Sequence, residues 1–344
     1  MAAPPFALEI RPAGAYLPAL DLYLDPDRDV PRAFVSHAHA DHGSGFASGT
    51  VLASSETMRL LSARHGPLAG EQVVDWDASL EMATDRGMAR VSIAPAGHIL
   101  GAAQLVVDHP FGRFVYTGDY RSGGGLTHAV GKAVTCDTLA IESTFALPIF
   151  RWPDRAQTIA RLIEWCRRHG DEGAVVLAYS LGKAQELIAH LVAAGLPVVA
   201  HGAIFKMCEA YEALGVEVGV RAGAVRPYAE IGARAKLRGA LVAPPRAAAT
   251  PMIKGRRGVR VAFVSGHALV DAQVDRYRAD AAFVISDHAD FDDLMATVRA
   301  SGASHVYTTH GDAVPFAYEL NQAGIPAEAR ERHAIDTAAE EVGS

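Results

Sequence analysis

His37-Ala38-His39-Ala40-Asp41-His42 is the stretch that decides the reading of this chain. It follows an apolar run, Ala33-Phe34-Val35, and sets three imidazoles and a carboxylate in one short loop. A tetrahedral zinc site takes about four N, S or O ligands, so this segment, joined by ligands from elsewhere, points to two ions sharing a cleft. Paired metals suit hydrolysis of a phosphate ester: one holds the attacking oxygen and the other takes up charge on the phosphate.

Working outward, three further turns carry matching ligand chemistry. His98 lies in Gly97-His98-Ile99-Leu100-Gly101, Asp119 in Thr117-Gly118-Asp119-Tyr120 and His310 in Thr309-His310-Gly311-Asp312. Each follows an apolar run that reads as a strand, at residues 90–94, 113–116 and 306–308. Loops at the C-terminal ends of strands converge on one edge of a sheet and carry function. A lone histidine there is more often a hydrogen-bonded structural residue, but four such turns form a set.

The chain has 344 residues, more than one typical core holds, which implies two domains. No window approaches eighteen uninterrupted apolar residues, the N-terminus lacks the pattern of a signal peptide, and the three cysteines form no zinc or redox motif. A reduced, cytoplasmic setting is expected. Net charge is −7, yet residues 151–280 hold 19 Lys and Arg against 12 Asp and Glu, a balance of +7 that leaves −14 for the remainder. Such asymmetry is a hint of a nucleic-acid surface. The run from Lys254 through Arg256 and Arg257 to Arg260, with Arg234, Lys236 and Arg238, supplies the expected phosphate contacts. Lys183, opening an expected helix, is a further candidate.

Strands are expected at 138–141, 174–178, 197–200, 241–243 and 261–264, and helices at 156–169, 183–194 and 206–214, with 244–249 as a loop. This alternation predicts a mostly parallel sheet flanked by helices. A final β-α-β-α run begins at 281–285.

On these residues the chain resembles the metallo-β-lactamase fold: the His37–His42 loop, Gly97-His98 and Gly118-Asp119 follow that fold's ordered motifs. Glu142-Ser143-Thr144-Phe145, Ser286-Asp287-His288-Ala289-Asp290 and His310-Gly311 resemble motifs A, B and C of its β-CASP branch, the nucleic-acid-processing nucleases. Within that branch, residues 142–152, Leu181 to Glu186 and His201-Gly202-Ala203 look most like the bacterial DNA-ligase-associated exonucleases, usually encoded beside an ATP-dependent DNA ligase and a helicase.

The resemblance implies an α/β (α+β) chain. A four-layer αββα metallo-β-lactamase domain would span residues 1–148 plus 281–344, with an α/β β-CASP domain inserted at 149–280. It implies that His37, His39 and His98 hold one Zn2+ and Asp41, His42 and His310 a second, with Asp119 bridging and Asp25 supporting the metal loop. Mn2+ could support activity in vitro. Glu142 and His288 would form the proton-donating pair: dications lower an imidazole's pKa, and a carboxylate hydrogen-bonded to it raises it again. The activity implied is that of a DNA exonuclease in repair or end processing. A histidine at motif C instead resembles the RNA-processing members, so an RNA-directed nuclease stays open. A small-molecule ester or lactone hydrolase would not need Glu142, His288 or a basic insert, and a scaffold without activity would lack ligands that are all present here.

Overall fold

The computed structural model describes residues 6–43, 49–84, 86–231 and 236–331. Two sheets stack face to face. The first has six strands in sequence order from Glu9–Arg11 to Glu71–Val73. The second has seven: Ala327–Ala329, His305–Thr309, Thr138–Glu142, Gly112–Tyr116, Ala103–His109, Gly87–Pro95 and Ser79–Thr84, in spatial order.

The period-two alternation of strand side chains assigns each residue its layer. In Arg32–Phe34 and Thr50–Ala53, Phe34 and Leu52 point into the space between the sheets, where they meet Leu105, Phe114, Tyr116 and Ala140. Their neighbours Ala33, Val51 and Ala53 face outward and join a second core with Met58, Leu60 and Leu61 of the helix Ser55–His65. On the far side Leu139, Ile141 and Val306 share that core with Leu294 and Val298 of Phe291–Ser301 and Phe316 of Ala313–Gln322. Helices therefore cover both outer faces.

A third sheet of six parallel strands lies in the order Val225–Pro227, Val198–Ala200, Ala240–Ala243, Ala174–Leu177, Arg260–Val264 and Ala281–Phe283. Both faces are covered, which is why its strands read as unbroken apolar runs. Ala174 and Val176 pack with Ile159, Leu162 and Cys166 of Arg155–His169. Val175 and Leu177 face Ala247 and Ile253 on the other side.

Three details differ from the sequence reading, one being that the helix expected at 206–214 starts four residues earlier, as Gly202–Ala213. Ala281–Phe283, expected to start the returning β-α-β-α run, pairs in parallel with Arg260–Val264 and so completes the third sheet. Residues expected as a loop at 244–249 contain a 3-10 helix, Pro245–Ala249, where proline at the first helical position presets the backbone.

Candidate metal centre

The proposed site residues all leave strands in one direction. Asp25 follows Leu22–Leu24, His37 follows Arg32–Phe34, His98 follows Gly87–Pro95, Asp119 follows Gly112–Tyr116, Glu142 ends Thr138–Glu142 and His310 follows His305–Thr309. At Gly118 the backbone has φ 54°, and an added Cβ would lie 2.4 Å from Ser36, so only glycine lets the Asp119 turn approach the His37 loop.

Four ligand atoms from His37, His39, His98 and Asp119 lie within 4.8 Å of one another. Nε2 of His37, His42 and His98 stand 3.5, 3.4 and 3.6 Å from Asp119 Oδ2, and His39 Nδ1 is 3.1 Å from His98 Nε2. The opposite ring nitrogen of each histidine is held from outside. Ser36 Oγ is 2.9 Å from His37 Nδ1, and Asp25 Oδ2 is 2.9 Å from His42 Nδ1. His39 Nε2 donates to the Leu181 carbonyl at 3.0 Å and His98 Nδ1 to the Asp287 carbonyl at 2.8 Å. Such outer partners fix the ring and the tautomer of a metal-binding histidine.

These residues fit a divalent cation. His37 Nε2 is buried without a hydrogen-bond partner, an arrangement that costs about 1–3 kcal/mol unless something binds there. Burial, reinforced by the neighbouring imidazoles, holds His37 well below the ordinary histidine pKa, leaving the neutral form that a metal takes. Burial also opposes charge on His42, but Asp119 and Asp25 outweigh it and raise that histidine to about 10; the carboxylates here call for positive charge.

Asp41, His42 and His310 are arranged more openly. His42 and His310 stack with ring centroids 5.1 Å apart, while the Asp41 side chain is 80% exposed, with Oδ2 3.9 Å from His42 Nε2. Among the described residues, no tight group of ligand atoms includes Asp41 or His310; both line the same cleft.

Across Asp119 lies His288, its Nε2 3.8 Å from Asp119 Oδ2 and its Nδ1 2.9 and 3.1 Å from the two Glu142 oxygens. Glu142 also accepts from the Tyr120 amide. Burial opposes the protonated imidazole, but Glu142 and Asp119 outweigh it and raise His288 to about 9. Burial likewise opposes the Glu142 carboxylate, and His288 overcomes it, holding Glu142 below its usual range. The cleft above has a cavity volume of about 780 Å³ and is shared between the metal loops and residues Tyr179 to Lys183, Lys206 and His267 of the segment carrying the third sheet.

Comparison with known proteins agrees with this geometry. No protein-family model matches the chain. It is 35% identical over 318 residues to a protein of Opitutus terrae named "Probable DNA ligase", covering 91% of this chain and 30% of that one. It is 27% identical to "5' exonuclease Apollo" of Gallus gallus over 45% of this chain and 34% of the relative. It is 33% identical to "Endoribonuclease ysh-1" of Neurospora crassa over 29% of this chain and 12% of the relative. The chain spans about a third or less of the length of these curated relatives. Their match, with the motif residues gathered around Asp119, decides the family. The chain belongs to the metallo-β-lactamase fold, in its β-CASP branch. A solved structure of a protein of unknown function from Enterococcus faecalis shares the fold, with a TM-score of 0.58 at 15% identity over 88% of this chain and 78% of that one.

In this β-CASP chain the expected phosphate contacts need correction. Lys183 does open the helix Lys183–Ala193 and lines the cleft, but its ammonium is 2.7 Å from Asp287 Oδ1. Arg256 and Arg257 do not line the cleft; Arg256 hydrogen-bonds the Tyr228 hydroxyl at 3.0 Å and Arg260 the Asp280 carboxylate at 3.0 Å. Topology gives the reason. Lys236 and Arg238 precede Ala240–Ala243, and Lys254 to Arg257 precede Arg260–Val264, so they sit at the N-terminal edge of a parallel sheet. The cleft is lined by loops from the C-terminal edge, after Ala174–Leu177 and Arg260–Val264. Arg234 lies outside the described residues. Cations that do line the cleft, Arg64 and Lys206, gave no sequence signal beyond their charge. Asp287, whose carbonyl holds His98, was also missed: it sat in motif B beside the more conspicuous His288.

Proposed function

We propose that this chain is a two-zinc phosphodiesterase acting as a DNA exonuclease in repair or end processing. The observation that carries the reading is the Glu142–His288 pair facing Asp119 across the floor of the cleft. The leaving 3′ oxygen of a phosphodiester must take up a proton, and a histidine held by a carboxylate beside Asp119 is placed to supply it. DNA is favoured by the similarity to a protein named as a DNA ligase over 91% of this chain, and the same match supports function beside a DNA ligase. Residues to about 148, with those after the third sheet, form the catalytic domain, and the third sheet with its helices forms the inserted roof.

His37, His39, His98 and Asp119 would hold one ion, and Asp41, His42 and His310, together with Asp119, would hold a second. Histidine-rich ligation favours zinc. Bound zinc lowers the pKa of water to about 7 and stabilises charge on phosphoryl oxygens. His288 Nε2 presents the proton to the leaving oxygen, and Glu142 keeps the ring protonated and turned toward the cleft. Asp25 holds the metal loop through Ser36 and His42.

A second reading, an RNA-directed nuclease resembling mRNA 3′-end-processing factors, is favoured by His310 and by the similarity to a named endoribonuclease. Digestion of 5′- and 3′-labelled single- and double-stranded DNA and RNA, with zinc or manganese, separates the two. Single-nucleotide ladders from DNA are expected, and His288→Ala should slow cleavage by about 10²–10⁴ with bound metal unchanged. Cleavage of RNA alone would select the second reading, and loss of metal from His288→Ala would remove the proton-donor assignment.

A further inference from the structure

The metal floor is not oriented by its own loops alone. His39 is turned by the carbonyl of Leu181, at the start of the roof's first crossover helix, and His98 by the carbonyl of Asp287, in the loop leaving the roof's last strand. The two segments that carry these carbonyls are joined by an ion pair between side chains. Lys183 Nζ lies 2.7 Å from Asp287 Oδ1, with the two side chains only 5% and 9% exposed. Burial opposes the Asp287 carboxylate, but Lys183 outweighs it and keeps Asp287 well below the usual range. Beside the pair, Gly182 has φ 83°, and a Cβ there would lie 2.1 Å from Ile99 Cγ2, so the helix start rests directly against the residue after His98.

We propose that the Lys183–Asp287 ion pair is a clamp that positions His39 and His98 through the Leu181 and Asp287 carbonyls, making metal affinity depend on a seated roof. Lys183 and Asp287 are positioning residues. Linkage is reciprocal: a bound ion tightens the seating of the roof to the extent that the seating tightens the ion. This inference rests on the proposed metal site but not on the nucleic-acid substrate.

The test uses the full chain and zinc titrated against a chromophoric chelator, with thermal unfolding of the metal-free protein alongside. The double variant Lys183→Met/Asp287→Asn removes both charges together, which avoids leaving one buried and unpaired. It should keep the melting temperature of the metal-free protein while weakening binding of the tighter zinc about 10–100-fold, the usual effect of losing an outer partner of a metal ligand. Lys183→Arg, which can still pair with Asp287, should recover most of that affinity. Gly182→Ala keeps both charges but wedges the helix start off Ile99, and should weaken zinc as well. Zinc should also slow amide exchange in Lys183–Ala193 of the wild type and not in the double variant.

Zinc affinity unchanged in both the double variant and Gly182→Ala overturns the clamp. If the double variant fails to fold, Gly182→Ala and the exchange measurement on the wild type decide the matter. A wild-type chain that binds no zinc would instead overturn the metal site itself, so the two failures are distinguishable.

Discussion

Asp25 and Glu186 are both buried carboxylates that gather a strap of chain, one beneath the metal loop and one where the roof is seated. Asp25 accepts from the Ser36 amide at 2.7 Å, the Ser36 hydroxyl at 2.6 Å and the Tyr116 hydroxyl at 2.8 Å, and holds His42 Nδ1 at 2.9 Å. Glu186 accepts from the Leu126 amide at 3.2 Å, the Thr127 amide at 3.0 Å and the Thr127 hydroxyl at 2.8 Å, and holds His190 Nε2 at 3.1 Å with Arg155 3.7 Å away. The two clusters are built alike. They differ in what they hold: Asp25 touches a proposed ligand directly, whereas Glu186 ties the segment Leu126-Thr127 to the roof's helix and touches no proposed ligand. Equal packing therefore carries unequal chemical consequence.

The strongest way to break this comparison is Glu186→Leu. It leaves two amides, a hydroxyl and Arg155 without their acceptor, and should cost about 2–4 kcal/mol of stability in urea unfolding, while zinc affinity of the folded fraction changes far less than in an Asp25 variant. A loss of zinc binding matching that of Asp25→Asn would erase the distinction. Asp25→Asn should act in the opposite sense, weakening zinc about 10–100-fold with a smaller loss of stability, read by chelator competition and by unfolding of the metal-free protein.

The smallest effect is a pH dependence. Burial opposes the Glu186 carboxylate, but its hydrogen bonds from His190 and Thr127, with His128 and Arg155, depress its pKa below the ordinary carboxylate range. A depressed carboxylate contributes stability that is complete above the unfolded value, about 4.3, and is lost as pH falls toward the folded value. In that window the unfolded chain binds the extra proton, so stability should fall by up to about 1.4 kcal/mol per pH unit. The difference between wild-type and Glu186→Gln curves isolates this slope; parallel curves below pH about 4 would contradict it.

The same pair shows how much was legible in the sequence. Asp25 was readable because it stands in a short motif, before Pro26 and one strand ahead of the His37 loop. Glu186 lies inside a helical pattern, and its main partners are 59 and 60 residues earlier. His128 and His190, distant from each other in the sequence, meet around it. The charge balance of the insert was less specific about place: Lys236, Arg238 and Lys254 to Arg257 precede strands of a parallel sheet and do not line the cleft.

By itself the sequence determined the chemistry of the centre. The chain has 15 histidines among 344 residues, and clustering several of them with carboxylates at strand ends from Asp25 to His310 leaves few physical alternatives to binding a metal. The four layers came with the family resemblance; the structure shows how strands such as Arg32–Phe34 and Thr50–Ala53 send successive residues to different cores. Only the tertiary structure decided how that centre is held. The carbonyls of Leu181 and Asp287 that turn His39 and His98 belong to the backbone, which is the same in every residue and leaves no mark in the sequence. Which basic loops reach the cleft follows from strand direction in a sheet whose order is set by long-range packing.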